Sequence, residues 1–373
     1  MGCSPGRTSP TPTNMSAIAD FIDVAEELRK GLVRLTEELQ HGLPERLARF
    51  PRDPQQRQAM QEEQAALLKR RLPELTTWLD RHFARLTELD THLTEEERER
   101  ALEHHRSAVQ PFFLQSPFVR RAVDKPLGYP GDYVTVEMIF GTEDQGVSTM
   151  ARLLSHYALH VGPAQAHRAR PPWVMGHLRR HEQELGRPLR VLSFACGPEH
   201  ALREYTALGG TGNFVLCDFD PAPLDYCRRQ FEKLARMPRG GVPPPELHFV
   251  QLSTYQLIRY RDSLDKLRLP SGPMDVVVAA GILDYLKDNV VTRFLDLMAS
   301  MLAPGGLLLL TNLHEQNDWR SFMEYVGDWD VHHRTRQHFQ TLCEGPSERR
   351  MRTREISTDA TGTNLFWAGQ RQE

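Results

Sequence analysis

A short apolar run followed by a tight turn is the feature that most constrains how this chain can fold. Residues 190–194 (RVLSF) are long enough for a buried strand and end at the corner 195–200 (ACGPEH). A helical pattern of apolar residues resumes directly after the corner, and a second strand-like run at 213–217 ends in Asp218. Strand, turn and helix in this order, with an acidic residue after the second strand, predict the first unit of a nucleotide-binding α/β sheet.

The alternation of strands and helices continues towards the C-terminus. Further apolar strands are predicted at 247–251, 275–280, 305–311 and 364–368, with a charged strand at 349–357. Helices are predicted at 221–236 and 290–302, and near 318–326. Five β/α units followed by two closing strands predict an α/β fold: a Rossmann-like, doubly wound sheet whose C-terminal edge is antiparallel.

The N-terminal part has the three-to-four-residue apolar period of helices. Residues 1–15 are rich in Ser, Thr, Pro and Gly and are predicted to form a disordered tail. The predicted helices are Ser16–Leu39, 55–89, Thr94–Val109 and 149–185. Prolines are expected to kink or divide the second of these at Pro73 and to interrupt the last at Gly162-Pro163 and Pro171-Pro172.

These patterns predict an α-helical N-terminal domain over 16–160 and a sheet domain over 161–373. Within the first, residues 111–140 are dense in Pro, Gly and aromatic residues, which makes the segment too constrained for a passive linker and too irregular for a helix. Two interpretations stay open. The segment is a packed connection between domains, or it is a lid whose Tyr129, Asp132 and Tyr133 face a ligand cleft.

Composition excludes several classes of protein. The net charge of −3 argues against a nucleic-acid partner, which would favour a basic excess. We find no apolar run long enough for stable membrane insertion and no apolar core of a signal peptide at the N-terminus. The five cysteines are scattered without a CxxC pair, which predicts reduced thiols, a cytoplasmic location and no metal site.

The corner points to a particular kind of nucleotide ligand. It has a single glycine, Gly197, where a dinucleotide fingerprint needs three, and the chain has no phosphate-binding GxxxxGK[ST] loop. Strand four runs into 279–286 (AAGILDYL), and strand five is introduced by 302–306 (LAPGG). Together with Asp218, this series resembles the class I S-adenosylmethionine-dependent methyltransferases over roughly residues 165–373.

The resemblance implies S-adenosyl-L-methionine as the cofactor and assigns it a set of residues. Ala195 and Gly197 would form the corner under its methionine part, Asp218 would hold the ribose, and Phe219 would flank the adenine. The full implied cofactor-binding set is Tyr129, Asp132, Ala195, Cys196, Gly197, Asp218, Phe219, Ser253, Thr254, Ala280 and Gly281. The sequence departs from the pattern at Ser193 and at Ser253-Thr254, where the family often has acidic residues.

A closer resemblance extends over about residues 100–373. It rests on 125–133 (KPLGYPGDY), 195–198 (ACGP), 283–286 (LDYL), 312–314 (NLH), 323–325 (MEY), 327–329 (GDW) and 361–366 (TGTNLF). This set is similar to a bacterial methyltransferase family often described by its 3-hydroxypalmitic acid methyl ester synthase members. The resemblance implies a small-molecule acceptor and methylation of a carboxylate, on a fatty acid or another acidic metabolite.

The acceptor decides which side chains are needed. A carboxylate is already ionised at neutral pH and needs only cations or donors to steer it, for which Arg120, Arg121 and Lys125 are candidates. A hydroxyl or amine acceptor would make a base useful, and the catalytic candidates are His314, Tyr285 and Tyr325. Tyr325 either walls the acceptor pocket or packs a helix onto the sheet. Three alternatives remain: an O- or N-methyltransferase of a secondary metabolite, a protein carboxyl methyltransferase, and a non-catalytic cofactor-binding sensor.

Overall fold

The computed structural model describes residues 14–42, 53–141, 146–238, 240–260, 267, 269–346 and 349–373. The predicted disordered tail, apart from its last two residues, lies outside these ranges. Contacts divide the chain into two compact units. Unit 1 consists of Met1–Asp124, Glu143–Ala158 and Asp318–Trp329, and unit 2 consists of Lys125–Thr142, Leu159–Asn317 and Asp330–Glu373. The chain therefore passes between the units several times, whereas the sequence pattern suggested a single boundary near residue 160.

Unit 2 is built on one seven-stranded sheet. Its strands are β1 (Leu189–Phe194), β2 (Gly212–Asp218), β3 (Glu246–Gln251), β4 (Met274–Ala280), β5 (Leu302–Leu313), β6 (Met351–Thr358) and β7 (Asn364–Arg371). Their order is β3-β2-β1-β4-β5-β7-β6, with β1 to β5 parallel and β7 antiparallel to both of its neighbours. This arrangement confirms the predicted doubly wound α/β fold with an antiparallel C-terminal edge.

The central strands are buried on both faces, as parallel strands between helix layers must be. In β1, Leu192 and Phe194 belong to one apolar cluster, whereas Leu189 and Val191 belong to another. Successive side chains of a strand point to opposite faces, so the two clusters lie on the two faces of the sheet. Burial on both faces therefore fixes which side chains of β1 point to each face. The carboxyl ends of the parallel strands share one edge of the sheet.

The helices of unit 2 separate the strands. They are α6 (Tyr133–Phe140), α8 (Gly162–Leu185), α9 (His200–Ala207), α10 (Pro221–Ala235), α11 (Thr254–Arg259), α12 (Asp288–Met301) and α13 (Arg336–Glu344). The Gly162-Pro163 interruption is confirmed as a helix start, because Pro in the first turn removes an N–H that has no partner there anyway. The predicted break at Pro171-Pro172 is wrong: α8 continues through both prolines, and its buried face includes Pro171.

Strand β5 begins earlier than predicted, at Leu302, and includes the Pro304-Gly305-Gly306 turn. Its pairing with β4 shifts register between Met274 and Val276. A Cβ on Gly306 would lie 3.1 Å from the carbonyl oxygens of both Met274 and Asp275. Only glycine allows β5 to approach β4 this closely, so pairing continues across a sequence that looks like a loop.

Unit 1 is helical in its described residues. Its helices are α1 (Asn14–Gly42), α2 (Pro54–Asp90), α3 (Glu95–Ala108), α4 (Gln110–Phe113) and α5 (Pro117–Asp124), with most of α7 (Thr149–His160) and a π-helical turn at Phe322–Val326. The capping box predicted at Thr94 is present. Pro73 does not divide α2.

Segment 111–140 is more regular than its composition suggests. It contributes α5 and most of α4 to unit 1 and α6 to unit 2, so the prediction that it is too irregular for helix is wrong. Each of these helices has no more than eight residues. Runs this short show no clear apolar period in the sequence, and caps and packing stabilise them instead. The helix predicted near 318–326 is present over residues 320–326, where two α-helical residues lead into the π-helical turn.

Candidate functional site

The corner after β1 has an unusual backbone. Ala195, Gly197 and Glu199 all have positive φ angles, of 50°, 52° and 49°. Residues other than glycine seldom adopt this left-handed conformation, and such conformations are concentrated at functional sites. No described protein atom lies within 4 Å of the position that a Cβ on Gly197 would take. The corner therefore leaves space over Gly197 at the carboxyl edge of the sheet, where open α/β sheets bind their ligands.

Asp218 connects the corner to the end of β2. One of its carboxylate oxygens, Oδ2, accepts the Gly197 N–H at 3.0 Å, and Oδ1 accepts the Asp220 N–H at 3.1 Å. Burial raises the pKa of Asp218, whereas these backbone N–H groups act in the opposite direction. A carboxylate held this way between two strand ends is well placed for the predicted contact with ribose hydroxyls.

An aromatic pair lies next to Asp218. The Phe219 side chain is 49% exposed, and its ring centroid lies 5.2 Å from that of Tyr129. The Tyr129 hydroxyl donates to Asp220 Oδ2 at 3.3 Å. Burial raises the pKa of Tyr129, and Asp218 and Asp220 raise it further, so this hydroxyl stays protonated. The structure thus brings Tyr129 and Phe219 together on the side where the adenine is predicted.

Three other predicted cofactor residues have local structural partners. Asp132 is buried and caps α6, where its Oδ1 accepts the N–H groups of Val134 and Thr135 at 2.9 Å. Ser253 caps α11 through a capping box, and Thr254 is the first residue of that helix. These contacts account for the three residues as helix starts, and their cofactor contacts stay predictions.

The end of β4 presents a second group at the same edge. Ala280 is the last strand residue, Gly281 follows with a φ of 111°, and Tyr285 is 38% exposed in the next turn. His314 comes directly after β5, where its backbone N–H donates to the Thr363 carbonyl at 2.7 Å. β1 and β4 are neighbours in the sheet, so the end of β4 and the corner lie at its topological switch point, and His314 follows the next strand, β5.

Tyr325, by contrast, lies in unit 1. It is buried, its hydroxyl donates to Asp90 Oδ1, and its ring centroid is 5.0 Å from that of Phe21 and 5.6 Å from that of His105. Asp90 also forms an ion pair with Arg98 at 3.1 Å. The structure does not bring Tyr325 into the same unit as His314 and Tyr285, and its catalytic role stays a prediction.

We expect Tyr325→Phe to lower the free energy of unfolding by about 1–2 kcal/mol, because buried Asp90 loses a donor but keeps Arg98. Unfolding in urea, followed with a probe that reports on unit 1, would measure the change. Tyr226→Phe, which removes a hydroxyl from unit 2, is the matched control. Unchanged stability together with a loss of turnover would contradict this structural interpretation and support a catalytic tyrosine.

Sequence reasoning missed Glu199 as a site residue. Its carboxylate is buried, hydrogen-bonds the Ser193 side chain and accepts the Leu202 N–H at 3.3 Å. Burial raises the pKa of Glu199. In the sequence, Ser193 stands where the family often has an acidic residue, yet a carboxylate lies beside it in space. The only indication in the sequence was an acidic residue at the end of the corner.

The described residues contain neither a cluster of metal ligands nor a helix that could span a membrane. No group of three or more His, Cys, Asp or Glu side chains in those ranges is arranged to hold a metal ion. Likewise, none of the helices described combines the length and the apolarity that crossing a bilayer requires.

Comparison with known proteins identifies the domain. Residues 166–344, from within α8 to the end of α13, match the family model described as a methyltransferase domain. A search of curated proteins found no match to the chain. Similar solved structures include a possible exported protein from Bordetella parapertussis (18% identity, covering 76% of this chain and 99% of that one, TM-score 0.49).

Two further similar structures were solved with S-adenosyl-L-homocysteine. They are magnesium protoporphyrin IX methyltransferase from Synechocystis (10% identity, 63% of this chain and 92% of that one, TM-score 0.43) and the N-methyltransferase NodS from Bradyrhizobium japonicum (14% identity, 65% and 98%, TM-score 0.37). Likenesses at this level carry no conclusion about the acceptor. The matched domain and the corner geometry agree: the chain carries a class I S-adenosylmethionine-dependent methyltransferase domain, and S-adenosyl-L-methionine is its cofactor.

Proposed function

We propose that this enzyme methylates a carboxylate of a small molecule, a fatty acid or another acidic metabolite, and releases a methyl ester. The observation that supports the cofactor half is the Asp218 carboxylate, which accepts the Gly197 N–H at 3.0 Å beside the exposed Phe219 ring. The acceptor half rests on the resemblance to the 3-hydroxypalmitic acid methyl ester synthase family. We also propose a cytoplasmic location and no nucleic-acid partner, on the basis of composition.

The cofactor residues have defined tasks in this proposal. Ala195, Cys196 and Gly197 place backbone under the methionine part, Asp218 accepts hydrogen bonds from the ribose, and Phe219 and Tyr129 flank the adenine. When bound, the cofactor supplies an electrophilic methyl group on a positively charged sulfur. The enzyme's main task is then to hold the acceptor oxygen in line with the breaking bond and to exclude water.

The test follows labelled methyl groups. Purified protein is incubated with methyl-labelled S-adenosyl-L-methionine and a cell extract, and label is measured in organic, aqueous and protein fractions before and after mild alkali. Alkali-labile label in a small-molecule fraction is the expected result. Label on protein would instead indicate a protein carboxyl methyltransferase, and alkali-stable label an ether or amine product. Absence of transfer with intact cofactor binding would favour a sensor.

The role of His314 distinguishes the acceptor classes. We expect His314→Ala to keep kcat within about threefold of the wild-type value, because an ionised carboxylate needs no general base. His338→Ala, on the exposed side of α13, is the control. A fall in kcat of about 10²- to 10⁴-fold in His314→Ala alone would contradict a carboxylate acceptor and identify His314 as a base.

A further inference from the structure

Arg170 reaches the carboxyl end of β4 from α8. It is 92% buried, given its 8% exposure, and its Nη1 lies 3.2 Å from His167 Nδ1. A Cβ on Gly281 would lie 2.7 Å from the same Nη1. The guanidinium is therefore packed against the backbone of the residue that follows β4. This position explains why a glycine stands there, since any side chain would displace the arginine.

The charge of Arg170 is only loosely balanced. The Asp284 carboxylate oxygen Oδ2 lies 3.8 Å from Nη2, whereas charge-assisted hydrogen bonds are typically about 2.7–2.9 Å long. The other oxygen of Asp284 already accepts the Leu313 N–H at 2.6 Å. Burial lowers the pKa of Arg170, and Asp284, Tyr285 and Asp359 oppose this, but an arginine stays protonated in proteins. A buried cation whose counter-ion is this distant lowers the stability of the fold unless another anion contacts it.

Two buried hydrogen-bond donors at this place have no partner among the described residues: Nε of Arg170 and Nδ2 of Asn364. The two side chains are neighbours, since Arg170 Nη2 lies 3.5 Å from Asn364 Oδ1, and Asn364 is fully buried. His167 is neutral, because burial and Arg170 lower its pKa, so it cannot balance the charge of Arg170. Buried donors are nearly always satisfied in folded proteins, so an unpartnered pair beside a cation indicates a ligand that accepts hydrogen bonds.

The location fits the acceptor side of the site. Gly281 follows β4, and Asn364 pairs with Leu313 at the end of β5, so Arg170 and Asn364 lie at the carboxyl edge of these strands. Tyr285, which is partly exposed in the turn after β4, is close enough to Arg170 to affect its pKa. All of these residues belong to unit 2. Of the three cations suggested by the sequence, Arg120 and Arg121 belong to unit 1 and Lys125 belongs to unit 2.

We propose that Arg170 and Asn364 bind the carboxylate of the methyl acceptor. This inference rests on the proposed function. One carboxylate oxygen accepts the Arg170 Nε–H and the Asn364 Nδ2–H, and the other oxygen is the nucleophile. In the transfer a carbon–oxygen bond forms as the carbon–sulfur bond breaks, and the electron pair of that bond stays on sulfur. No proton moves. The product ester is neutral, so its hydrogen bonds to Arg170 weaken and release is favoured.

The test measures binding at equilibrium, without turnover. Protein saturated with S-adenosyl-L-homocysteine is titrated with decanoate and benzoate, and with decanamide and benzamide as neutral probes. We expect the wild-type protein to prefer the carboxylates. Arg170→Gln should weaken carboxylate binding about 10- to 100-fold and leave amide binding and S-adenosyl-L-homocysteine affinity unchanged. Asn364→Asp should have a similar effect, because it places a like charge beside the ligand.

A matched control exists on the same helix. Arg180 contacts His177 Nδ1 at 3.2 Å, the same three-residue spacing and distance as Arg170 and His167, but it is exposed. Arg180→Gln should leave all affinities unchanged. Arg170→Lys keeps the charge and loses the Nε–H, so it should recover only part of the loss and serves if the glutamine variant does not fold.

Either of two results would overturn this assignment: no preference of the wild-type protein for carboxylates over amides, or carboxylate affinity unchanged in Arg170→Gln. The proposed function fails separately. Carboxylates that bind through Arg170 while no label is transferred from S-adenosyl-L-methionine would leave the anion site in place and refute methyl ester formation.

Discussion

Asp218→Ala is expected to lower the affinity for S-adenosyl-L-methionine by at least about tenfold, which corresponds to about 1.4 kcal/mol. The substitution removes the predicted ribose acceptor. It also leaves the Gly197 and Asp220 N–H groups without the carboxylate oxygens that fix them at 3.0 and 3.1 Å, so the corner itself loses its support. Calorimetric titration with S-adenosyl-L-methionine and S-adenosyl-L-homocysteine would measure the loss.

Asp225→Ala is the matched control for this experiment. Asp225 lies on α10, is exposed, and its carboxylate pairs with Arg228 in the same helix, so its removal should leave cofactor affinity unchanged. Thermal unfolding of both variants would separate loss of binding from loss of fold. Unchanged affinity in Asp218→Ala would overturn the placement of the ribose at the end of β2.

Arg334→Leu is expected to destabilise the protein by about 3–5 kcal/mol. Arg334 is 3% exposed, and its guanidinium donates to the carbonyl oxygens of Leu283 and Leu286 at 2.9 and 2.6 Å. It also donates to the side chains of Asn312 and Asp288. A leucine of similar volume would remove these hydrogen bonds, including those to the turn that carries Asp284 and Tyr285.

Chemical unfolding in urea would measure this effect. Arg336→Leu, two residues further on, is the control: Arg336 is exposed and donates a hydrogen bond to the Ile356 carbonyl at 2.7 Å. We expect a change of about 0.5 kcal/mol or less for the control. A loss below about 1 kcal/mol in Arg334→Leu would show that the turn is held by other contacts.

The sheet could be predicted because the sequence patterns that specify its strands are local. Strands β1 to β4 fall within one residue of their predicted limits, since each is an apolar run with a turn at its end. The start of β5 could not be placed, because it depends on how closely Gly306 approaches the carbonyl groups of β4. The continuity of α2 and α8 through their prolines likewise depends on packing, which outweighs local propensity.

Only one contact of the candidate site could be predicted from the sequence. Gly197 and Asp218 follow strands that are adjacent in the sheet, so motif spacing was enough to bring them together. Arg170 lies in the middle of a helical pattern, 111 or more positions before Gly281 and Asn364, and nothing local distinguishes it from a surface arginine. Glu199 was overlooked for a different reason: the family pattern directs attention to Ser193, whose neighbour in space is Glu199.

The interleaving of the two units has a consequence for protein synthesis. Asp90 of unit 1 leaves the ribosome 235 positions before Tyr325, its buried partner, and Asp80 leaves it 239 positions before Trp319, whose Nε1–H donates to it at 2.9 Å. The nascent helical region therefore carries carboxylates that cannot be buried with these partners until nearly the whole sheet has emerged. A chain ended near residue 160 would keep α1 to α5 yet lack Trp319 and Tyr325, which donate hydrogen bonds to Asp80 and Asp90, so the helical region is not a separable module.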